Sequence, residues 1–255
     1  MLKIRRLNMD SSWQLSWGNT TVLIDPWLLG SEVDGFSWFN EQWHTTPSMA
    51  VSRLGRYDAV LISQPFSDHC HQQTLKELKE VPILGTPKAH KRLNKELPGR
   101  DIKSLPNLLS REWMNFGDLA ISYLASTKKL SAAFDGLIIR KEQDIVVYCP
   151  HGFNLTSAHL SILGEYKTKL LLTGFSLFQL PFFLGGTVNP GKNAALELIE
   201  GLNPTKVVHT HDENKKAKGL VKKIAKVNYS SPESLQEELG NKFEYLDESY
   251  EWYTV

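Results

Sequence analysis

The sequence predicts an α/β fold (α+β in some schemes) in which two β-sheets stack face to face between outer helices, as a four-layer αββα sandwich. The main observation is the order of the elements: a group of strands followed by alternating strands and helices occurs twice, before and after about residue 110. The composition, 41% hydrophobic and 22% charged, is typical of a globular chain with a packed core. No segment has the composition of a linker, so we expect residues 1–255 to form a single domain.

The first elements are predicted to be strands. Leu2–Leu7 and Trp13–Trp17 alternate between apolar and polar residues, and Thr20–Ile24 is a β-branched run. Gly18-Asn19 between the last two is a hairpin signal. Asp58–Ile62 is apolar after its first residue, the pattern of a strand buried on both faces.

The remaining elements follow from helical spacing, short apolar runs and capping residues. Pro87 and Pro232 lie at first helical positions, and Ser231 precedes the second of these as an N-cap. Helices are predicted over Gln72–Glu80, Pro87–Leu97, Asn154–Leu163, Pro190–Gly201, Glu213–Ala225 and Pro232–Glu238. Further strands are predicted at Pro82–Leu84, Ile102, Trp113–Phe116, Leu119–Leu124, Gly136–Arg140, Ile145–Tyr148, Lys169–Leu172 and Lys206–Val208.

The charge balance argues against a polyanionic partner. The chain has 29 Lys and Arg against 28 Asp and Glu, a net charge of +1. We therefore expect a small-molecule partner rather than nucleic acid or a membrane, and the sequence leaves the oligomeric state open. The lysine-rich run from Lys215 to Lys226 is interpreted as a solvated helix face.

Targeting signals are not evident in the sequence. No apolar run reaches the length of a membrane-spanning helix, and Met1–Asn8 lacks the apolar core of a secretory signal. Two cysteines, Cys70 and Cys149, do not make a disulfide framework. These observations predict a cytoplasmic protein.

Histidines follow three of the predicted buried strands. Asp68 and His69 lie in the loop after Asp58–Ile62, and His151 and His211 each follow a later strand. Loops at the ends of neighbouring strands meet at one edge of a sheet, so these side chains are expected to converge. One carboxylate and three imidazoles are a suitable ligand set for Zn²⁺ or another divalent ion. For each histidine alone, a structural hydrogen bond is an equally good explanation.

The segment from Leu23 to Leu78 resembles the metallo-β-lactamase superfamily, particularly its ascorbate-phosphate-lactonase-like and phospholipase-D-like branches. Ile24-Asp25-Pro26-Trp27-Leu28 matches the strand that ends in Asp-Pro-Trp/Phe in those branches. Asp68 and His69 match the end of the signature Ser/Thr-His-x-His-x-Asp-His, and His211 matches the terminal histidine. The resemblance implies the αββα fold and a metal-dependent hydrolase activity.

This chain departs from the family pattern in its first metal site. Gln64 and Phe66 stand where the signature has histidines, and near Ala125–Lys128 the chain has Thr127 where a third histidine is expected. The resemblance therefore implies at most one divalent ion, most simply zinc, or none. The implied ligands are those that remain, with an imidazole at the position of the usual bridging aspartate: Asp68, His69, His151 and His211.

Two functions are consistent with this degenerate site. The first is a hydrolase with one metal ion acting on an ester, a lactone or a phosphodiester, with Asp68 and His69 as catalytic residues. The alternative is a non-catalytic binding protein on the same fold, since four protein ligands fill a tetrahedron. For either function the predicted pocket residues are Trp38, Trp43 and His44 in the aromatic loop from Trp27 to Trp43, and His209 beside the terminal histidine.

Overall fold

A computed structural model describes residues 1–126 and 135–255. Short 3-10 turns lie at Val51–Arg53, Leu108–Ser110, Phe182–Leu184 and Gly240–Lys242. The α-helices are α1 (Gln72–Glu77), α2 (Pro87–Glu96), α3 (Ser157–Leu163), α4 (Lys192–Leu202), α5 (Leu220–Ile224) and α6 (Pro232–Leu239). The strands are β1 (Leu2–Arg6), β2 (Trp13–Trp17), β3 (Thr20–Ile24), β4 (Glu32–Val33), β5 (Glu41–Trp43), β6 (Ala59–Ile62), β7 (Ile83–Gly85), β8 (Ile102–Ser104), β9 (Met114–Phe116), β10 (Leu119–Leu124), β11 (Gly136–Lys141), β12 (Asp144–Cys149), β13 (Lys167–Thr173), β14 (Leu177–Gln179), β15 (Thr187–Pro190), β16 (Lys206–His209), β17 (Lys216–Lys218), β18 (Lys226–Asn228), β19 (Phe243–Glu244) and β20 (Tyr253–Thr254).

Two large sheets form the centre of the molecule. The first has the strand order β20-β1-β2-β3-β6-β7-β8, and the second has the order β19-β16-β13-β12-β11-β10-β9. In each sheet an antiparallel part is followed by a parallel part, which begins at the pair β3 and β6 in the first and β12 and β13 in the second. This arrangement matches the sequence analysis, in which a group of strands followed by alternating strands and helices occurs twice and predicts two stacked sheets.

The strands alternate between two cores, as a strand with a period of two residues must. In β6, Ala59 and Leu61 point into the core between the sheets, whereas Val60 and Ile62 belong to an outer core. Leu172 of β13 packs between the sheets as well. Both faces of these strands are buried, which explains their continuous apolar runs.

Helices cover the outer face of each sheet. Leu75 of α1 and Leu93 of α2 pack against the first sheet. Ile162 of α3, Leu198 of α4 and Leu235 of α6 pack against the second. The predicted αββα arrangement is therefore confirmed.

The structure corrects the sequence prediction in three segments. The helix predicted over Glu213–Ala225 is a strand, β17, followed by the short helix α5, because Lys216–Lys218 pairs with β5. The segment from Trp27 to Trp43, which the sequence analysis treats as a loop, contains β4 and β5. Pro190 ends strand β15, and helix α4 begins only after Gly191, whose φ of 87° excludes it from a helix.

Two further three-stranded sheets result from these segments, β15-β14-β18 and β17-β5-β4. Lys215, which the sequence assigned to a solvated face, has a side chain that is only 11% exposed, whereas Lys216 and Lys222 are exposed as predicted. Within residues 1–126 and 135–255, no helix is long and apolar enough to cross a membrane.

Candidate metal centre

The predicted ligand residues lie in loops at the ends of strands β6, β12 and β16. Asp68 and His69 lie in a tight turn in which the N–H groups of His69 and Cys70 donate to the carbonyl of Phe66, at 3.1 and 2.7 Å. The Ser11 hydroxyl donates to the Asp68 carbonyl at 3.2 Å and ties this turn to the loop after β1. A turn of this kind lets adjacent side chains face the same point, which a helix or a strand does not allow.

The other two ligand loops are fixed by their own turns. Gly152, with φ of 71°, donates its N–H to the Cys149 carbonyl at 2.9 Å and so turns the chain directly after His151. His211 has φ of 59°, and its N–H donates to the Asp10 carbonyl at 3.0 Å. Left-handed φ is uncommon for residues other than glycine, and here the turn bond and its neighbours hold it.

These loops bring the three predicted histidine ligands together, with Asp68 beside two of them. Nε2 of His69 lies 2.9 Å from Nε2 of His151. Oδ2 of Asp68 lies 3.7 Å from Nε2 of His69 and 3.6 Å from Nε2 of His211. The three histidines each offer a ring nitrogen within 4.8 Å of the other two. Separations of this size suit ligand atoms that share one divalent ion at a bond length of about 2.0–2.2 Å.

Each of these histidines has an oxygen atom near its other ring nitrogen, and for His69 and His151 this oxygen is a hydrogen-bond acceptor. Nδ1 of His69 lies 2.7 Å from Oδ2 of Asp25, and Nδ1 of His151 is hydrogen-bonded to Oδ1 of Asn189. Nδ1 of His211 lies 3.1 Å from Oδ1 of Asp10, within ion-pair range but off the line of a regular hydrogen bond. Acceptors at Nδ1 favour a proton there, which leaves Nε2 as the ligand atom.

The short contact between His69 and His151 requires a proton or a metal ion between the two nitrogens. Two Nε2 lone pairs at 2.9 Å repel each other unless a proton or a cation lies between them. Burial acts to lower the pKa of His69, but the carboxylates of Asp68 and Asp25 outweigh it and raise that pKa to about 9. Burial and the neighbouring His211 and His69 hold the pKa of His151 well below its usual range. Without a metal the proton therefore belongs to His69.

Asp25 organises the floor of the site. Its Oδ2 accepts hydrogen bonds from Nδ1 of His69 at 2.7 Å, from the Tyr148 hydroxyl at 2.9 Å, and from the Ser63 hydroxyl. Its Oδ1 accepts the Ser63 backbone N–H at 2.7 Å. The residue is fully buried, and its own φ is 45°. These contacts orient the ring of His69 from the side opposite to Nε2.

A second charged group adjoins the histidines. Nζ of Lys215 lies 2.8 Å from Oδ2 of Asp10 and 3.9 Å from Oδ2 of Asp68. Burial acts to raise the pKa of Asp68, but His69, His211 and Lys215 together lower it, so that this carboxylate stays ionised. The pKa of Lys215 is raised above its ordinary value by Asp10 and Asp68, against the effect of burial. A salt-bridged ammonium thus forms part of the site.

A cavity of about 230 Å³ opens onto these residues. Asp68, His151, His211 and Lys215 line it, whereas the fully buried His69 lies behind them. The three-stranded sheets and the two residues before β5 supply the opposite walls, which combine apolar and polar side chains: Phe39, Asn40, Gln42, Phe178, Val188 and Val227. The cavity joins an ionic floor to a largely apolar wall, as small-molecule sites commonly do.

Two carboxyl groups in the cavity wall share one hydroxyl. Oγ of Ser67 lies 2.6 Å from Oε2 of Glu32 and 2.8 Å from Oδ1 of Asp34. A hydroxyl has one hydrogen to donate, so both contacts are hydrogen bonds only when one carboxyl is protonated. Burial and the nearby carboxylates of Asp34 and Asp68 raise the pKa of Glu32 to about 8.

The four predicted pocket residues are not among the residues that line this cavity. Trp38 is 67% exposed and stacks on Phe36. Trp43 lies in β5 beneath Lys218. His44 packs on Trp27 and contacts Glu213 at 2.6 Å, so it supports a cavity-lining residue rather than lining the cavity itself.

His209 is the fourth of these residues, and its ring faces the interior. Nε2 of His209 lies 3.1 Å from the Arg6 guanidinium, and the ring stacks on Tyr245. It points away from the ligand cluster because it is still part of strand β16, whereas His211 lies beyond the strand end.

The positions at which the first metal site is degenerate have different surroundings. Gln64 is buried, and its amide lacks a hydrogen-bond partner among residues 1–126 and 135–255. Phe66 lines the cavity. Thr127 lies outside the described residues.

Sequence reasoning missed several residues of the site, namely Asp10, Tyr148, Asn189 and Lys215. Asp10 follows strand β1 in the same way that Asp68 follows β6, so its position at a strand end was a usable signal. In the sequence, Tyr148 could be recognised only as one residue of an apolar strand. Lys215 was hidden by the exposed lysines beside it, because a sequence pattern cannot distinguish one buried member of a charged run.

Comparisons with known proteins agree with this architecture. A family model described as "Beta-lactamase superfamily domain" matches residues 8–211. A 73-residue part of the chain is 38% identical to cytidine monophosphate-N-acetylneuraminic acid hydroxylase of Sus scrofa, a match that spans 27% of this chain and only 16% of that protein.

Solved structures resemble the whole chain at low sequence identity. An isothiocyanate hydrolase from Delia radicum gut bacteria is 17% identical with a TM-score of 0.69, and the match covers 99% of each chain. A possible metal-dependent hydrolase from Veillonella parvula is 16% identical with a TM-score of 0.69, covering 100% of this chain and 98% of that one. CmlA, a diiron β-hydroxylase from Streptomyces venezuelae, is 14% identical with a TM-score of 0.67, covering 100% of this chain and 54% of that one. At these identities the likeness concerns the fold.

Proposed function

The chain belongs to the metallo-β-lactamase superfamily, and on that premise we propose that it is a hydrolase that uses one divalent metal ion, zinc most simply, held by His69, His151, His211 and Asp68. The observation that carries the proposal is the contact of 2.9 Å between Nε2 of His69 and Nε2 of His151, each ring having an oxygen acceptor at Nδ1. That arrangement needs a cation or a proton between the two nitrogens.

The residues present fit a divalent ion. Three imidazole nitrogens lie within 4.8 Å of one another, and the Asp68 carboxylate adjoins two of these rings, those of His69 and His211. Nitrogen and carboxylate oxygen donors of this kind are ones that zinc accepts. When bound, such an ion acts as a Lewis acid toward a carbonyl or phosphoryl oxygen and makes water a better nucleophile near neutral pH. His69 is fully buried, so in this proposal it binds metal but does not contact the substrate.

The chain's own charged groups would orient the substrate. Lys215 and Asp68 both line the cavity beside His151 and His211. The ammonium of Lys215 attracts an anionic or carbonyl oxygen toward the cavity floor. Phe39, Phe178 and Val188 exclude water from the apolar part of a bound molecule. The substrate class that we propose is a small ester, lactone or phosphodiester with an apolar portion.

A proton for the leaving group is available in the cavity wall. Ser67 bridges Glu32 and Asp34, and one of these carboxyls holds a proton when both bonds are formed. With its pKa raised to about 8, Glu32 is the carboxyl that keeps a proton at neutral pH. A carboxyl with a pKa near the working pH is an effective general acid.

The alternative is a binding protein without catalysis, and one experiment separates the two. Purified protein stripped with a chelator is reloaded with Zn²⁺ and assayed on a panel of nitrophenyl esters, lactones and bis-nitrophenyl phosphate. We expect hydrolysis that requires Zn²⁺ and falls at least 100-fold in Asp68→Asn. His90→Asn, a change on helix α2 away from the site, is the matched control. Saturable binding of panel members with no turnover by the loaded protein would favour the alternative.

A further inference from the structure

A second group of ligating atoms adjoins the three histidines. Asp10, Asp68 and His211 each offer a ligand atom within 4.8 Å of the other two. His211 belongs to both groups, so the two potential cation positions are neighbours. Because Nε2 of His211 is assigned to the first ion, a second ion here would take its protein ligands from the two carboxylates, Asp10 and Asp68, which a divalent ion accepts.

The carboxylates of this group require a positive charge. Asp10 is fully buried and Asp68 is 9% exposed. Buried carboxylates are stable only when a cation compensates them, since the loss of hydration of an unpaired one costs several kcal/mol. Nζ of Lys215 supplies that charge at 2.8 Å from Oδ2 of Asp10 and 3.9 Å from Oδ2 of Asp68.

Lys215 is held in this place by the turn that carries His211. The carboxylate of Asp212 accepts the N–H groups of Phe175 and Ser176, the latter at 2.8 Å. Glu213 accepts the N–H groups of Thr45 and Thr46 at 2.8 and 2.9 Å. The Lys215 N–H donates to the Glu213 carbonyl at 2.9 Å. The ammonium is thereby built into the site and is not a mobile surface group.

We propose that the ammonium of Lys215 replaces a second divalent ion, so that the carboxylates of Asp10 and Asp68, beside His211, form a latent metal site that the chain fills with its own cation. The inference rests on the proposed function only in taking the three-histidine group as the site of the first ion.

The replacement has a consequence for ligand binding. In sites with two metal ions, the ions lie about 3.5–4 Å apart and both stabilise the same reacting group. Here a fixed ammonium lies beside the metal position and lines the cavity. An ammonium carries three N–H donors, more than its bond to Asp10 uses. It would therefore bind an anionic oxygen of the ligand without a second metal.

The test counts metal ions per chain. Wild type, Lys215→Met, Lys215→Arg and the control Lys218→Met are dialysed to equilibrium against Zn²⁺ and analysed for metal. Lys218 is exposed and pairs with Glu41, so its removal leaves the site intact. We expect Lys215→Met to hold one more equivalent than wild type, and Lys215→Arg and Lys218→Met to match wild type. The double variant Lys215→Met/Asp10→Asn should lose the extra equivalent.

The difference from wild type tests this inference, whereas the wild-type count tests the proposed function. Zero equivalents in wild type would refute the one-metal hydrolase. Equal counts in wild type and Lys215→Met, or two equivalents in wild type, would refute the role of Lys215.

A folding readout covers the case in which Lys215→Met is unstable without metal. We expect Zn²⁺ to raise its thermal midpoint more than that of wild type, because the ion replaces the lost charge. Lys215→Ala, which leaves more room for an ion, should behave in the same way. If neither variant folds at any Zn²⁺ concentration while the double variant does, a metal cannot replace the lysine and the inference is wrong.

Discussion

At the scale of single residues, the site depends on how each charge is compensated. Asp25 holds His69 and Tyr148, Asp10 lies between His211 and Lys215, and Ser67 joins Glu32 to Asp34. Each contact fixes a protonation state as well as a position. Changes of charge without change of shape are therefore the most informative substitutions here.

Asp25→Asn should weaken metal binding by about 10- to 100-fold, the usual effect of removing an acceptor behind a histidine ligand. The side-chain amide of the asparagine cannot accept all the hydrogen bonds that the carboxylate accepts from His69, Tyr148 and Ser63. Competition with a chelating dye measures the affinity for Zn²⁺. Asp58→Asn, a change at a carboxylate on the surface near Thr21 and Arg56, is the control. Equal affinities for both variants and wild type would contradict this role of Asp25.

Glu32→Gln should change how stability depends on pH. The pKa of Glu32 is raised from 4.5 to about 8 by burial and by Asp34 and Asp68. The folded state therefore binds more protons at this group than the unfolded state does between these values. The contribution of Glu32 to stability is fully present below pH 4.5 and is lost as the pH rises through 8. The glutamine side chain does not titrate, so Glu32→Gln does not lose stability in this way. Relative to wild type, the variant should therefore gain stability from pH 5 to pH 9.

Urea unfolding at several pH values, with a chelator present, measures the effect of Glu32→Gln. The control is Glu200→Gln on the exposed face of α4. Parallel pH curves for wild type and Glu32→Gln would show that this carboxyl titrates normally.

At the scale of elements, two of the ligand loops can approach each other because the residue that lies between them, Gly174, has no side chain. A Cβ at Gly174 would lie 2.3 Å from the Pro150 carbonyl oxygen and 3.2 Å from that of Thr210. Gly174 thus lies between the loop of His151 and the loop of His211. Any side chain there must separate them.

Gly174→Ala should therefore lower both stability, by about 1–3 kcal/mol, and the affinity for Zn²⁺. Gly201→Ala is the control, since its Cβ would meet a flexible side-chain end, Leu155, at 2.9 Å. Thermal unfolding with and without Zn²⁺ measures both effects. Unchanged zinc affinity in Gly174→Ala would mean that the loops tolerate separation and that their spacing does not define the site.

Most of the elements could be predicted from the sequence, and the exceptions have a common cause. Trp13–Trp17 and Thr20–Ile24 have the predicted bounds because alternation and a hairpin signal act locally. Lys216–Lys218 was predicted to be helical but pairs with β5, a contact between distant segments that no local pattern encodes. The predicted ligands lie at strand ends, which local patterns do locate, whereas the pocket walls come from the small sheets formed by such long-range pairs.

At the scale of the whole molecule, the site depends on the stacking of the two large sheets. Asp25 and Asp68 follow strands of the first sheet, and His151 and His211 follow strands of the second. The packing between the sheets therefore sets the distance between the two halves of the ligand set.

Leu172→Ala, a truncation in the core between the sheets, should lower the free energy of unfolding by about 2–5 kcal/mol. Leu220→Ala, at a side chain that is 40% exposed, is the control and should cost far less. Urea unfolding monitored by tryptophan fluorescence measures both. Similar losses for the two variants would mean that the interface between the sheets is not the main core.

The most direct test of the account is the metal content of the wild-type protein and of His151→Ala, purified in parallel and dialysed against Zn²⁺. We expect one equivalent in wild type and a loss of at least 100-fold in affinity in His151→Ala, because that ring faces His69 at 2.9 Å. The control His90→Ala, on α2, should retain one equivalent. A wild-type protein that binds no ion, or an ion retained unchanged in His151→Ala, would contradict the account.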